Sequence, residues 1–377
     1  MKQKNLDQWL QYLESLHPNE IDLGLARVFQ VANKMGLLKP APLVVMAAGT
    51  NGKGSTVTLI SSILQQAKQK VGTYMSPHLH QYNERVKIDG EMVSDEDFIE
   101  SFEAIDQARE DILLTYFEVG TLSSLYLFMK HKVDVAVLEV GLGGRLDAVN
   151  IVDADISIVT SIGLDHQDWL GDDLASIAFE KAGIYRPLKP AICGEKMPQQ
   201  TLINHACEIN APLFIKGEHF TYTQNSKDWN WKGVDKEGGQ VELVQLPLPS
   251  LPIENAATVL QALQFVSIEI LLEDIISGIN SAQLSGRLEQ IGMPFKAILD
   301  VGHNPQAARL LSGRLKKSVP KGRRYALLAM LEDKDPLKVV KELAEDVDHW
   351  HLAGLEGFRG QNCASLNLKL GGELTEV

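Results

Sequence analysis

One segment narrows the choice of fold more than any other. Leu43-Val44-Val45-Met46-Ala47-Ala48 is a continuous apolar run that passes directly into Gly49-Thr50-Asn51-Gly52-Lys53-Gly54-Ser55. A short run without alternation suits a strand buried on both faces, as in a parallel sheet. Beyond the loop, Ile60, Ile63, Leu64 and Ala67 share one helical face. Strand, glycine-rich loop and helix in that order cradle phosphate. The glycines admit backbone N–H groups close to the oxygens, and the helix N-terminus adds its dipole. Lys53 is spaced to reach β- and γ-phosphates, and Ser55 or Thr56 to help hold Mg²⁺. The match to the common nucleotide loop is incomplete. Ala47 and Gly54 stand where that pattern has Gly and Ser or Thr. A glycine-rich connector without a ligand is the competing reading, and the flanking strand and helix weigh against it.

The same alternation continues along the chain. Val133–Val140 and Ile156–Ser161 read as further buried strands, with helical patterns such as Thr121–Lys130 between them. Alternating strands and helices predict an α/β fold with a mostly parallel sheet, whose ligands lie beyond the carboxyl ends of the strands. Residues 1–38 read as helical from Leu10, Leu13, Leu16, Val28, Val31 and Met35, until Pro40 and Pro42. Leu213-Phe214-Ile215 and Val241-Glu242-Leu243-Val244 read as strands of a small β addition. Asn255–Phe265 is helical in pattern, and Ser285-Gly286-Arg287 reads as a linker. After it, Ala297–Asp300 opens a second strand–loop–helix unit, and Tyr325–Met330 is another strand. Two or three domains are expected from 377 residues, since single cores rarely grow beyond ~250–300. The boundary is placed near residue 284, giving domains 1–284 and 285–377.

Charge and cysteine usage exclude several classes. A net charge of −13 argues against nucleic acid or an anionic membrane as the partner, because phosphate-rich surfaces select basic faces. No stretch approaches the ~20 apolar residues of a membrane span. Cys193, Cys207 and Cys363 form no pair or metal motif, and an odd count fits a reducing, cytoplasmic compartment.

The string GTNGKGS resembles the Mur ligase superfamily, and within it the folylpolyglutamate synthase/dihydrofolate synthase family. Further motifs agree in order and spacing: Ser76-Pro77-His78 with Asn83-Glu84-Arg85, the run Leu138–Asp147, Asp165-His166, Glu180–Ile184, Gly286-Arg287, and Asp300–Pro305. The resemblance runs from about residue 8 to about residue 360. It implies a phosphate-loop ATP-binding domain followed by a smaller Rossmann-like α/β domain. It also implies an ATP-dependent ligase that activates a carboxylate as an acyl phosphate. The implied reaction adds L-glutamate to 7,8-dihydropteroate and to folates, and relatives of this kind are typically monomers.

The resemblance also assigns residues. Thr50, Asn51, Gly52, Lys53, Gly54, Ser55, Asn255, Arg287 and Asp300 are expected to contact ATP. Ser76, Glu139, His166 and a carbamylated Lys181 are expected to hold Mg²⁺ at two sites. Lys53, Lys181 and His303 are the expected catalytic side chains, with Asn304 beside them. Asp22, Leu23, Thr115, Tyr116, Phe117, Glu118 and Leu146 are the expected pterin-binding set. The residues taken alone leave alternatives open. Glu139 is read as ending one strand and His166 as ending the next, and each could serve only as a loop cap or a surface hydrogen bonder. Lys181 in Phe179–Ile184 could be a solvated helix lysine, and Tyr116 and Phe117 could be core aromatics entering a helix. Gly302 stands where relatives usually carry Ala. Relatives also usually continue for several tens of residues past the point where this chain stops, at Thr375-Glu376-Val377. The second domain is therefore expected to be incomplete, with glutamate capture or domain closure impaired. Rival functions are a folylpolyglutamate synthase lacking the dihydropteroate activity, another Mur-type amino-acid ligase, and a phosphate-loop switch that makes no product.

Overall fold

The computed structural model describes residues 4–19, 21–292, 296–317, 322–357 and 359–371. Thr375, Glu376 and Val377, together with the first three residues of the N-terminal helical reading, lie outside the described residues. The chain divides into two compact units, Met1–Leu284 and Ser285–Val377.

In the larger unit the N-terminal stretch forms two helices, α1 (Leu6–Ser15) and α2 (Ala26–Met35), rather than continuous helical structure. The phosphate-loop segment follows as β1 (Leu43–Ala48) and α3 (Lys53–Gln66). Then come β2 (Val71–Tyr74), β3 (Val86–Ile88), β4 (Glu91–Met92), α4 (Asp95–Arg109), α5 (Tyr116–His131) and β5 (Val135–Glu139). The chain continues through β6 (Ile156–Val159), α6 (Gln167–Leu170), α7 (Leu174–Ala182), β7 (Ala191–Cys193), α8 (Gln200–Glu208) and β8 (Leu213–Ile215). The unit closes with β9 (Thr221–Gln224), β10 (Asp228–Val234), β11 (Gln240–Pro247), α9 (Ile253–Leu263) and α10 (Leu272–Ser281).

Eight strands form one sheet in the order β4-β3-β2-β5-β1-β6-β7-β8. From β2 to β8 every neighbouring pair is parallel, and β3 and β4 add an antiparallel edge. β1 lies between β5 and β6, with Ala47 opposite Glu139 and Ala48 opposite Val159. This crossing point in the strand order opens a crevice at the carboxyl end of the sheet. Alternate residues of β1 enter different cores. Val44, Met46 and Ala48 face the layer that holds α5, and Val45 and Ala47 face the layer that holds α3 and α9. Burial on both faces explains why the run is apolar without alternation.

Two expectations are corrected here. Leu213–Ile215 is the last parallel strand of the main sheet, because α8 carries the chain back in a crossover to pair with β7. The small β addition is instead the antiparallel meander β9–β10–β11. His166 does not end a strand. β6 stops at Val159, and His166 caps α6 with a left-handed backbone, φ 52°.

The smaller unit pairs β12 (Glu289–Ile291) antiparallel with β13 (Ala297–Leu299). Then follow α11 (Pro305–Lys317), β14 (Tyr325–Leu328), α12 (Pro336–Leu343), β15 (His349–Leu352) and α13 (Cys363–Lys369). β14 and β15 are parallel with α12 as their crossover, and Met330, Val340, Trp350 and Leu366 lie in their core. Among the described residues no helix is long and apolar enough to cross a membrane.

The meander supports the nucleotide loop indirectly. Trp231 of β10 is fully buried, and its indole N–H donates to Ala257 O of α9 at 3.0 Å. Trp231→Ala is expected to destabilise the larger unit by about 3–5 kcal/mol, the usual cost of emptying an indole-sized site. Denaturant unfolding followed by far-UV circular dichroism measures it.

Candidate functional site

The loop that joins β1 to α3 is shaped by two glycines and clamped by a neighbouring strand. Gly52 has φ 87°, and a Cβ there would lie 2.6 Å from Asn255 Oδ1. A Cβ on Gly49 would lie 1.9 Å from Thr160 Oγ1. Any larger residue at either position closes the loop against its walls. The clamp comes from the chain leaving β6. Thr50 N donates to Ser161 O at 2.8 Å, and Thr50 Oγ1 donates to Gly163 O at 3.0 Å. Thr160 Oγ1 donates to Asn51 O at 2.6 Å, and Asn51 N donates to Ser161 Oγ at 3.0 Å. The loop is therefore preformed. Gly52 caps α3 without any side-chain acceptor, so the N–H groups of the first helical turn, with Gly54 and the buried Ser55, are presented to an anion. Lys53 Nζ folds back onto Gly49 O at 3.0 Å.

Glu139 reaches this loop from the next strand. It ends β5 and is 6% exposed, and a Cβ on Gly54 would stand 3.8 Å from its Oε2. The same oxygen accepts from Ser76 N at 3.1 Å. Ser76, Glu139, Gly54 and, through Gly52, Asn255 thus share one corner.

Lys181 lies near the end of α7 and is only 3% exposed. Burial is the main reason its amine falls from the usual 10.5 to about 7, and the Lys53 charge lowers it further. Asp165 and Asp147 pull the other way. Lys181 therefore lies within electrostatic reach of Lys53, Asp165 and Asp147. Asp147 is buried too, and burial lifts its carboxyl to about 6 despite N–H groups from Leu142 at 2.8 Å and Val149 at 3.0 Å. His166 adjoins this group through Asp165, whose Oδ1 accepts from His166 N at 3.0 Å.

A second cluster lies at the start of α5. Thr115 caps the helix and Glu118 returns the bond to Thr115 N at 2.8 Å, forming a capping box. Arg27 then bridges two expected pterin residues. Its Nε lies 2.9 Å from the buried Glu118 carboxylate, and its Nη1 donates to Asp22 Oδ2 at 2.6 Å. Glu118 is thus turned inward, and Asp22 is the more exposed of the two carboxylates. Tyr116 and Phe117 are half-buried. Tyr116 meets Tyr82 edge-on at 5.8 Å, and Phe117 lies 6.0 Å from Tyr74 and against Gly141. Leu23 and Leu146 are half-buried on loops, Leu146 next to Asp147.

The remaining expected residues belong to the smaller unit. Asp300 accepts from Gly302 N at 2.7 Å and from Leu288 N at 3.0 Å, which ties β13 to the turn carrying Arg287. His303 Nδ1 lies 3.1 Å from Val301 O, and Asn304 Oδ1 accepts from Ala307 N at 3.0 Å at the start of α11.

Sequence reasoning left out Thr160, Ser161, Asp147, Asp165 and Arg27 as site residues. Thr160-Ser161 directly follows an apolar strand run and was findable as a polar pair at a strand end. Arg27 carries no local signal, because its partners are separated from it by 5 and 91 residues.

This arrangement defines a ligase of the Mur type. Residues 47–256 match the Mur ligase middle domain, and residues 286–376 match the Mur ligase glutamate ligase domain. The dihydrofolate synthase/folylpolyglutamate synthase of Escherichia coli (strain K12) is 49% identical over 366 residues, covering 97% of this chain and 86% of its own length. A structure of E. coli FolC in complex with DHPP and ADP gives a TM-score of 0.94 at 48% identity, covering 98% of this chain and 88% of that one. A bifunctional folylpolyglutamate synthase/dihydrofolate synthase with Mn, AMPPNP and L-glutamate bound gives 0.91 at 46% identity, covering 97% and 88%. The chain belongs to the dihydrofolate synthase/folylpolyglutamate synthase family of ATP-dependent ligases.

The lowered Lys181 amine has a thermodynamic consequence. In CO₂-free buffer the folded chain holds fewer protons than the unfolded chain between about pH 7 and the ordinary 10.5. Stability from this group therefore rises with pH across that window and is lost as pH falls toward 7. Lys181→Met is expected to remove the rise. Unfolding midpoints of both proteins between pH 7 and 9.5 check it.

Proposed function

We propose that the larger unit transfers the γ-phosphoryl group of ATP to the carboxylate of 7,8-dihydropteroate or of a folate. The amine of L-glutamate then attacks the acyl carbon. The C–N bond forms, the C–O bond to phosphate breaks, and the amine loses a proton, giving amide, ADP and phosphate. A carboxylate alone does not acylate an amine at neutral pH, because oxide is a poor leaving group; phosphate is a good one. One observation carries this reading. An uncapped helix N-terminus stands beside the Glu139 carboxylate, and Lys53 at its start lies within electrostatic reach of the buried amine of Lys181.

Each residue then has a physical role. The N–H groups at the start of α3, from Gly52 to Ser55, hold the triphosphate, with Thr50 and Asn51 shaping the loop and Asn255 against Gly52. Lys53 swings from Gly49 O to the γ-phosphate and neutralises charge as it transfers. With its amine lowered to about 7, Lys181 has a substantial neutral, nucleophilic fraction at neutral pH. It adds to CO₂, forming an N–C bond and releasing a proton, and so becomes an anionic carbamate. Among the described residues no three His, Cys, Asp or Glu side chains gather as a ready metal cage. Mg²⁺ is usually held by one or two carboxylates plus substrate phosphates, so Glu139, Ser76, His166 and the Lys181 carbamate fit two such ions. Bound there, Mg²⁺ supplies positive charge to the phosphoryl oxygens. Arg287, Asp300 and His303 are assigned to nucleotide and catalysis from the smaller unit. Asp22, Leu23, Tyr116, Phe117 and Leu146 are assigned to the pterin, with Thr115 and Glu118 fixing the start of α5. We further read the enzyme as a monomer and as cytoplasmic, the latter in keeping with its three free cysteines.

Phosphate release should require both dihydropteroate and glutamate. Release with either alone would favour a nucleotide switch. Lys53→Ala should keep the fold by circular dichroism and lower coupled phosphate release by about 10²–10³-fold, the usual effect of removing one transition-state donor. Lys181→Ala should lose activity and regain part of it with a short carboxylic acid. Full activity without the acid would remove the carbamate from the mechanism.

A further inference from the structure

We infer that Arg85 is the receptor for a carboxylate of the pterin-bearing acceptor. The inference rests on the ligase reading and deepens it.

The larger unit contains five arginines: Arg27, Arg85, Arg109, Arg145 and Arg186. Four of them have a carboxylate partner. Arg27 meets Asp22 and Glu118, Arg109 meets Asp106, Arg145 meets Glu180, and Arg186 meets Asp153. Arg85 has none among the described residues, although it is buried, at 9% exposure. Its sequence neighbour Glu84 is fully engaged elsewhere, accepting from the N–H groups of Leu79, His80 and Gln81 at 2.7–2.9 Å. The surroundings of Arg85 are neutral. Nε donates to His78 Nδ1 at 2.9 Å, and the Tyr74 hydroxyl lies within hydrogen-bonding reach. The guanidinium carbon stands 5.3 Å from the Tyr82 ring and 5.5 Å from the Tyr116 ring. Aromatic faces and neutral acceptors soften a buried charge but do not replace an anion. A planar, permanently charged fork left without a counter-ion is complementary to a carboxylate.

Position selects which carboxylate. Arg85 O accepts from Met75 N at 2.9 Å, and the next residue, Ser76, donates to Glu139 beside the phosphate loop. On its other side Arg85 faces Tyr116, in the aromatic pair at the start of α5. It therefore lies between the flat aromatic end of the site and the phosphate end. A pterin seated against Tyr116 and Phe117 directs its acid group toward Arg85. The acid can be the benzoyl carboxylate of dihydropteroate or a glutamyl carboxylate of a folate.

The test uses the full chain and a matched pair of ligands, dihydropteroate and its carboxamide, with folate and its amide as a second pair. Equilibrium binding of each is measured for the wild type, Arg85→Lys and Arg85→Met. The wild type should prefer acid to amide. Arg85→Met should weaken the acid by about 10- to 100-fold, the range for a charge-assisted pair, and leave the amide unchanged. Arg85→Lys should fall between. Loss confined to the dihydropteroate pair assigns Arg85 to the benzoyl carboxylate, and loss confined to the folate pair assigns it to a glutamyl one. Equal weakening of acid and amide, no weakening of either, or a loss of ADP affinity instead would overturn the assignment. A wild type that prefers the acid yet releases no phosphate with glutamate would sink the ligase reading and leave Arg85 as a carboxylate receptor.

Discussion

The phosphate loop depends on a clamp that its own residues do not supply. Thr160, Ser161 and Gly163, just beyond β6, bond both sides of Thr50 and Asn51. They can do so because the parallel register sets Ala48 of β1 beside Val159 of β6. The other neighbour of β1 is β5, and the same register sets Glu139 beside Ala47. Loop, clamp and carboxylate are thus one consequence of strand order. A glycine-rich loop is costly to order, since glycine loses the most conformational freedom on folding. Holding it through the scaffold moves that cost from ligand binding to folding, which leaves the N–H groups arranged before an anion arrives.

Charge is distributed around this frame in opposed pairs. Lys53 repels Lys181, while Asp147 and Asp165 attract it; Lys181 and Asp147 are buried, and Lys53 and Asp165 are half-buried. Burial pushes Lys181 and Asp147 toward their neutral forms, one by lowering and one by raising its titration. Two groups of opposite type that both approach neutrality are suited to a site that will receive a multiply charged ligand. Arg85 is the exception, because a guanidinium cannot shed its proton. The four other arginines of this unit are offset by carboxylates, which makes the exception informative.

The acceptor end is built differently, by helix capping and aromatic packing. Thr115 and Glu118 fix where α5 starts, and Arg27 ties that point to Asp22 on the loop after α1. Tyr116 and Phe117 are consecutive in the first turn and so point apart, one to Tyr82 and Arg85, the other to Tyr74 and Gly141.

Several features were legible in the residues alone. The unbroken apolar run before GTNGKGS implied a strand buried on both faces, and the loop implied an anion at a helix N-terminus, because both follow from local backbone chemistry. The parallel α/β class followed from alternating periodicities. Pairing partners were not legible. Leu213–Ile215 has the composition of any short strand, and only the α8 crossover decides that it extends the main sheet rather than the meander. His166 was misplaced for a related reason, as the strand before it ends earlier than the apolar pattern suggests. Lys181 illustrates the division most clearly. In sequence it is a helix lysine indistinguishable from solvated ones, and only tertiary packing removes its water and brings Lys53, Asp147 and Asp165 within reach. Sequence by itself determined the local elements and the phosphate-binding chemistry, since these depend on neighbours a few residues away. Tertiary structure alone decided burial, charge pairing and strand order, since these depend on residues far apart in the chain.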